Sequence, residues 1–292
     1  MNVKTAANKW LEYRRDAVAA STVARDSQIF HNLPPDFLSL ELTDLATKDL
    51  TAVVTKWPGS LGTKKRVRIS LKAFSRWLAD EELTSGNLGD RLPQPVVGTP
   101  PRSPRPLAWS EVPLILEEMH PKYRPLVEFA VQTGMRWGEL AALTAGDVVL
   151  DAKTPHVVVS KSRSKNYPVK TPKSGKMRRI PLNRIAQKIA VEQAQDLDSD
   201  DLLFTTPAGS PLDHGRFYRD SHFKKAAPGH RFHDLRHTAA VHWLSIPNVD
   251  GADIQRWLGH KDLSQTQIYL EGLGISARDQ ALLGELDNAA SY

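Results

Sequence analysis

Apolar residues recur at helical spacing through the first third of the chain. Val3 to Tyr13 makes one amphipathic run. Within Lys48–Trp57, residues Leu50, Val53, Val54 and Trp57 fall at i, i+3, i+4 and i+7, which is one face of a 3.6-residue helix. A third run, Val67–Leu78, sets Leu71, Phe74 and Leu78 on one side. Ser21 stands where it can cap a helix beginning near Thr22, because a serine hydroxyl accepts from the free amides of a first turn. These runs predict a helical N-terminal domain over 1–92.

The pattern then breaks. The stretch 91–107, RLPQPVVGTPPRSPRPL, holds six of the 20 prolines and no acid. Proline lacks an amide donor and clashes with a preceding helical turn, so 93–106 is expected to be an extended tether between domains. Beyond it, Trp109–His120 and Arg124–Thr133 have helical spacing, the second ending at Gly134 in a C-cap position. A short helix is expected over Arg136–Leu143. Strand-like segments follow at His156–Ser160, Tyr167–Lys170 and Met177–Pro181, separated by Lys, Ser and Gly turns. Helical spacing returns from there to the end, where Ile275–Leu286 is amphipathic with Leu282, Leu283 and Leu286 apolar. The fold class expected is mainly α with a small β-sheet, its second domain, 107–292, being α+β.

Composition narrows the function. A chain of 292 residues suits two domains, and 40% hydrophobic residues with seven tryptophans suffice for two cores. The net charge is +6 and the isoelectric point about 9.4, which fits a nucleic-acid partner. The charge is clustered. Lys64, Lys65, Arg66 and Arg68 overlap one predicted helix. The segment 161–179 carries Lys161, Arg163, Lys165, Lys170, Lys173, Lys176, Arg178 and Arg179 with no acid. A hairpin of that charge repels itself unless it meets a polyanion. With no cysteine present, disulfides, thiolate metal sites and cysteine nucleophiles are excluded. The N-terminus has no apolar signal core and no stretch reaches membrane-spanning length, so the expectation is a cytoplasmic protein without a membrane partner.

The chemistry-bearing residues lie in three strings. Arg136 sits in TGMRWGEL (133–140), His233 and Arg236 in HDLRH (233–237), and His260 and Tyr269 in LGHKDLSQTQIY (258–269). Guanidinium stays charged and forms paired hydrogen bonds to phosphate, so two arginines suit the two non-bridging oxygens of a phosphodiester. Histidine moves protons near neutral pH, and an activated tyrosine can attack phosphorus. Glu139, three residues after Arg136, is one helical turn away and able to orient it. His233 and Arg236, also three apart, share a helix face, whereas His237 is expected to face elsewhere and pack. No phosphate-binding Walker string occurs, since Gly175 and Lys176 are followed by Met177.

Taken in chain order, these strings resemble the tyrosine recombinase family, best known from phage integrases. The resemblance covers Leu107–Gly272 by motif and the N-terminal domain only by size, helicity and position. It implies an all-α SAM-like core-binding domain and an α+β catalytic domain that close around DNA as a clamp. It also implies a catalytic set of Arg136, Lys173, His233, Arg236, His260 and Tyr269, with Glu139 in support. Lys173 is chosen because the family's lysine lies on a turn eight residues before the proline closing the next strand, here Pro181; Lys170 and Lys176 are near rivals. Tyr269 follows His260 by nine residues, the family's spacing. Contacts to DNA phosphates are expected from Lys64, Lys65, Arg66, Arg68, Lys161, Arg163, Lys165, Lys170, Lys176 and Arg178.

The reaction implied is site-specific cutting and rejoining of DNA through a 3′-phosphotyrosyl intermediate and a Holliday junction. The ester keeps the bond energy, so neither metal nor ATP is required and no cofactor is expected. The expected partners are double-stranded DNA with specific attachment sites, a homotetramer on DNA that is weakly associated or monomeric without it, and an accessory directionality factor. The place implied is the cytoplasm of a bacterial host, on its nucleoid. About 92 residues precede the tether, enough for one domain, which points to a compact integrase without an arm-binding domain. Three alternatives stay open: a Xer-like resolver of replicon dimers, a non-cutting DNA-binding regulator on the same fold, and a DNA-relaxing enzyme of the same chemistry.

Overall fold

The computed structural model describes residues 1–100, 102–163, 169 and 177–259. The chain divides into two compact units between Ser103 and Pro104, inside the proline-rich stretch.

The first unit is helical: α1 (Val3–Ala17), α2 (Ala20–His31), α3 (Pro35–Ser39), α4 (Thr47–Lys56) and α5 (Leu61–Asp80). Side chains begin two of them. Asn2 Oδ1 accepts from Thr5 N and Ser60 Oγ from Thr63 N, each satisfying an amide that the first turn leaves free. The predicted stripes form the core, with Leu50, Val53, Val67, Leu71, Phe74 and Leu78 buried around Trp10 and Phe30. Phe74 packs edge-on against both rings, at 5.5 and 5.0 Å between centroids, a favoured aromatic geometry. Ser21 is not a cap. The helix starts at Ala20 with Ala19 before it and no side-chain cap, so Ser21 lies in the first turn.

The proline-rich stretch is fastened at both ends. Arg68 Nε and Nη2 donate to the Leu92 carbonyl at 3.0 and 2.7 Å, Nε also reaches the Pro93 carbonyl at 2.9 Å, and Leu61 N donates to Thr99 O. In the second unit, Leu107 N donates to Thr238 Oγ1 at 2.9 Å.

The second unit contains α6 (Val112–Glu118), α7 (Arg124–Thr133), α8 (Trp137–Leu140), then β1 (Val148–Val149), β2 (His156–Val159) and β3 (Arg178–Pro181). After them come α9 (Arg184–Ala194), α10 (His214–Asp220), α11 (Phe223–Ala226), α12 (Phe232–Leu244) and α13 (Gly251–Leu258). α7 is central and packs on α6, α9 and α12, burying Leu126, Val127, Phe129, Ala130 and Val131. The strands form an antiparallel sheet in the order β1-β2-β3, with Val157 opposite Ile180 and Val159 opposite Arg178. Val157, Val159 and Ile180 face the core.

Several boundaries differ from expectation. Trp109–Glu111 is a 3-10 turn ahead of α6. The helix expected over Arg136–Leu143 is one turn long, with Arg136 at its N-cap. β1, two residues long, was below the length that alternation detects. The strand expected over 167–170 lies outside the described residues except Val169, which is in no strand. The terminal helix expected over 275–286 is likewise outside them. No helix among the described residues is long and apolar enough to cross a membrane.

Candidate active site

Gly134 closes α7 in the left-handed conformation, with φ +60°. It is the residue that takes this conformation without the Cβ penalty. The turn delivers Arg136 to the N-cap of α8. A Cβ on Gly134 would stand 2.7 Å from Leu258 Cδ2 and 3.1 Å from the Trp243 ring, so α7, α12 and α13 meet here with no spare volume.

α13 ends at the same place. Gly259 is left-handed, φ +66°, and its amide bonds the Gln255 carbonyl. The last carbonyls of a helix have no partner within it and carry the negative end of its dipole. Three guanidinium groups satisfy them. Arg178 Nε donates to Trp257 O at 2.7 Å, while Arg236 Nη2 and Arg136 Nη1 donate to Leu258 O at 2.7 and 3.3 Å. Arg236 Nη1 also bonds the Gly134 carbonyl at 2.9 Å. Arg236 is buried, whereas the Arg136 side chain is 29% exposed.

Glu139 joins two of these cations. Its carboxylate, buried at 2% exposure, accepts from Arg136 Nη1 and the Arg136 backbone amide, and from both Nη atoms of Arg178 at 3.0 and 2.6 Å. Burial alone would raise the Glu139 pKa. The Arg178 hydrogen bonds and charge, and then Arg136, outweigh it and hold the carboxyl below its ordinary value.

α12 presents His233. Its first turn is fixed by Asp234, which accepts from Arg231 N at 2.8 Å, and by Tyr218, whose hydroxyl accepts from Phe232 N at 2.7 Å. His233 keeps solvent access, yet the crowding atoms around its ring, then the charges of Arg236 and Arg136, lower its pKa. At neutral pH it is therefore an unprotonated base beside two cations. The expectation that His237 faces elsewhere is corrected, since its ring meets His233 edge-on at 4.9 Å. A step of four residues along a helix keeps both on one face. Burial, and then the neighbouring His233, push His237 down to about 4.

The structure thus brings together Arg136, Glu139, His233 and Arg236. Lys173, His260 and Tyr269 lie outside the described residues, as do Lys165, Lys170 and Lys176 among the expected DNA contacts. Of the other expected contacts, Arg178 is corrected to a buried structural ion pair. Its neighbour Arg179 points outward instead. Lys161 bonds Asp147 at 3.0 Å and Thr144 at 3.2 Å, and the Arg163 backbone amide bonds Gly138 O. In the first unit, Lys65 and Arg66 are exposed on α5. Lys64 Nζ donates to Thr55 O, and Arg68 is engaged by Leu92 and Pro93. Sequence reasoning missed Arg178 as the partner of Glu139. The alternation of β3, which puts Arg178 on the face of buried Ile180, was the available signal.

The sequence model described as the phage integrase family matches residues 106–273. The chain is 31% identical to tyrosine recombinase XerC of Corynebacterium efficiens over 225 residues, 72% of this chain and 67% of that protein. It is 28% identical to XerC of Erythrobacter litoralis, covering 90% and 81%. Among solved structures it is similar to the Tn1549 transposon integrase in complex with a circular intermediate DNA, with a TM-score of 0.74 at 19% identity over 92% of this chain and 95% of that one. A lambda integrase tetramer bound to a Holliday junction matches with a TM-score of 0.68 at 19% identity, over 91% and 79%. At these identities the structural likeness speaks for the fold.

Proposed function

From the premise that this chain belongs to the phage integrase family and is a tyrosine site-specific DNA recombinase, we propose that Tyr269 is its nucleophile and that Arg136 and Arg236 hold the phosphodiester it attacks. One observation carries this reading: both guanidiniums bond the Leu258 carbonyl, two residues before His260, with His233 in their field. The two arginines neutralise the charge that gathers on the non-bridging oxygens, where preorganised donors act most strongly. The Tyr269 oxygen attacks phosphorus and its proton passes to neutral His233. The bond from phosphorus to the 5′ oxygen breaks, and Lys173 gives that oxygen a proton. His260 adds a hydrogen bond to the phosphate. A 3′-phosphotyrosyl ester remains, and the 5′-hydroxyl of a partner duplex attacks it in the reverse sense, restoring the tyrosine. Each step conserves the ester, so no nucleotide is consumed.

The domain assignment that goes with this reading is a core-type DNA-binding domain over 1–92, a tether over 93–106 and a catalytic domain over 107–292. The partner is double-stranded DNA carrying specific sites, bound by a homotetramer in which exchange passes through a four-way junction. Its place is the cytoplasm of a bacterial cell, on the nucleoid. Integration of a mobile element is the favoured role, supported by the resemblance of the string HDLRHTAA (233–240) to integrases of phages and mobile elements. Dimer resolution is the second reading, supported by the XerC relatives.

The test is covalent trapping on fragmented DNA from the source replicon and its host, comparing wild type with Tyr269→Phe and sequencing the ends of adducts that survive SDS. Adducts from wild type alone, mapping to one locus, are expected. Tight binding without adducts, even on nicked DNA that prevents religation, makes the protein a DNA-binding regulator.

A further inference from the structure

Glu139 is saturated in an unequal way. Oε1 accepts from Arg136 Nη1 and Arg178 Nη1, each at 3.0 Å, while Oε2 accepts from the Arg136 backbone amide at 2.8 Å and Arg178 Nη2 at 2.6 Å. Arg178 therefore makes the paired, fork-to-carboxylate contact, the stronger geometry. Arg136 is left with one side-chain bond to Glu139, from Nη1. Among the described residues, Arg136 Nε and Nη2 have no hydrogen-bond partner.

That division has a consequence for phosphate binding. Glu139 lies one helical turn from Arg136. A buried carboxylate with no other cation beside it would draw the paired contact from Arg136 itself. The Arg136–Glu139 pair would then be neutral overall, with its donors turned inward. With Arg178 in place the trio carries a net positive charge, and the remaining donors of Arg136, whose side chain is 29% exposed, stay available.

We infer that Arg178 is a positioning residue for cleavage: it fills the paired face of Glu139, so that the carboxylate orients Arg136 by one edge without capturing it. Arg178 also ties this arrangement to α13 through Trp257 O. The absence of a Cβ at Gly259 admits its side chain, since an added Cβ would stand 2.9 Å from Arg178 Cδ. Arg178 touches no reacting atom; it acts through Glu139. This inference rests on the proposed role of Arg136 in cleavage.

The test uses the full-length protein on a nicked suicide substrate built from its mapped site, measuring the rate of adduct formation at saturating protein. The variants are Arg178→Met, Glu139→Gln and their double, with Tyr269→Phe as control. Arg178→Met is expected to slow adduct formation by about ten- to a hundredfold while DNA affinity stays within about threefold. The double variant is expected to be faster than Arg178→Met, by about tenfold, because the carboxylate that captures Arg136 is gone. A role in stability alone predicts the opposite, a double variant as slow as Arg178→Met or slower. Where Arg178→Met fails to fold, Arg178→Gln, equally uncharged but able to keep a hydrogen bond, with and without Glu139→Gln gives the same comparison and the same expected sign. If wild type forms no Tyr269-dependent adduct, the proposed function fails. If it does and the double variant is not faster, this inference alone is overturned.

Discussion

Arg136 and Arg236, on different elements, donate to the same atom, the carbonyl oxygen of Leu258, at 3.3 and 2.7 Å. One acceptor at the end of α13 thus sets the separation of two cations and their distance from the chain that leads to His260. Arg136→Lys removes the planar fork but keeps the charge. The expected outcome is a fall in adduct formation of about 10²–10³-fold with DNA affinity little changed, read from single-turnover trapping beside equilibrium binding.

Gly259 allows α13 to end where it does. Alanine there must hold a left-handed backbone at φ +66° and places a Cβ 2.9 Å from Arg178 Cδ. The backbone strain alone costs about 1–2 kcal/mol. Gly259→Ala is expected to lower the melting temperature by a few degrees. Adduct formation should fall further than that loss explains, because Arg178 is displaced from Glu139. Calorimetry and trapping on the same preparation check the two effects together.

The edge-on contact of His237 with His233 makes stability depend on pH. His237 titrates at about 4 in the folded chain against an ordinary value of 6.5. Between these values the unfolded chain binds a proton that the folded chain does not, so stability rises with pH. The contribution is complete above pH 6.5 and lost as pH falls toward 4, with an upper bound of about 3 kcal/mol. His237→Gln is expected to flatten the stability curve over that window without abolishing the slope, since His233, His214 and His242 are also lowered. Urea unfolding across the window measures it.

The basic cluster of α5 divides by role. Lys65 and Arg66 are exposed, whereas Arg68 holds the Leu92 and Pro93 carbonyls. Lys65→Ala and Arg66→Ala are each expected to reduce the salt dependence of DNA binding by about one unit of log–log slope. Arg68→Ala is expected to leave that slope unchanged and to lower the melting temperature instead. Salt titrations of binding and thermal melts separate the two classes.

Local signals carried far in this chain. The apolar stripe of α5, the glycine closing α7 and the shared face of His233 and Arg236 all follow from spacing, because each is decided within one or two turns. Arg178 shows where spacing stops. In a run of eight bases it reads as one more phosphate contact. Alternation with Ile180 reveals that it points inward, but its partners Glu139 and Trp257 are set by the packing of β3 against α8 and α13. The same holds for Arg68, whose acceptors lie on the proline-rich stretch. Ser21 misled for a local reason, since the chain turned helical at Ala20 without any side-chain cap. His237 misled because four residues along a helix return to the same side.

The most direct measurement is the identity of the residue that becomes joined to DNA. Adduct trapped on a nicked site is digested with nuclease and trypsin, and the nucleotide-bearing peptide is sequenced by tandem mass spectrometry. The account predicts the peptide over 262–278 with the nucleotide on Tyr269. Attachment at any other residue, or abundant specific binding with no nucleotide-bearing peptide, contradicts it.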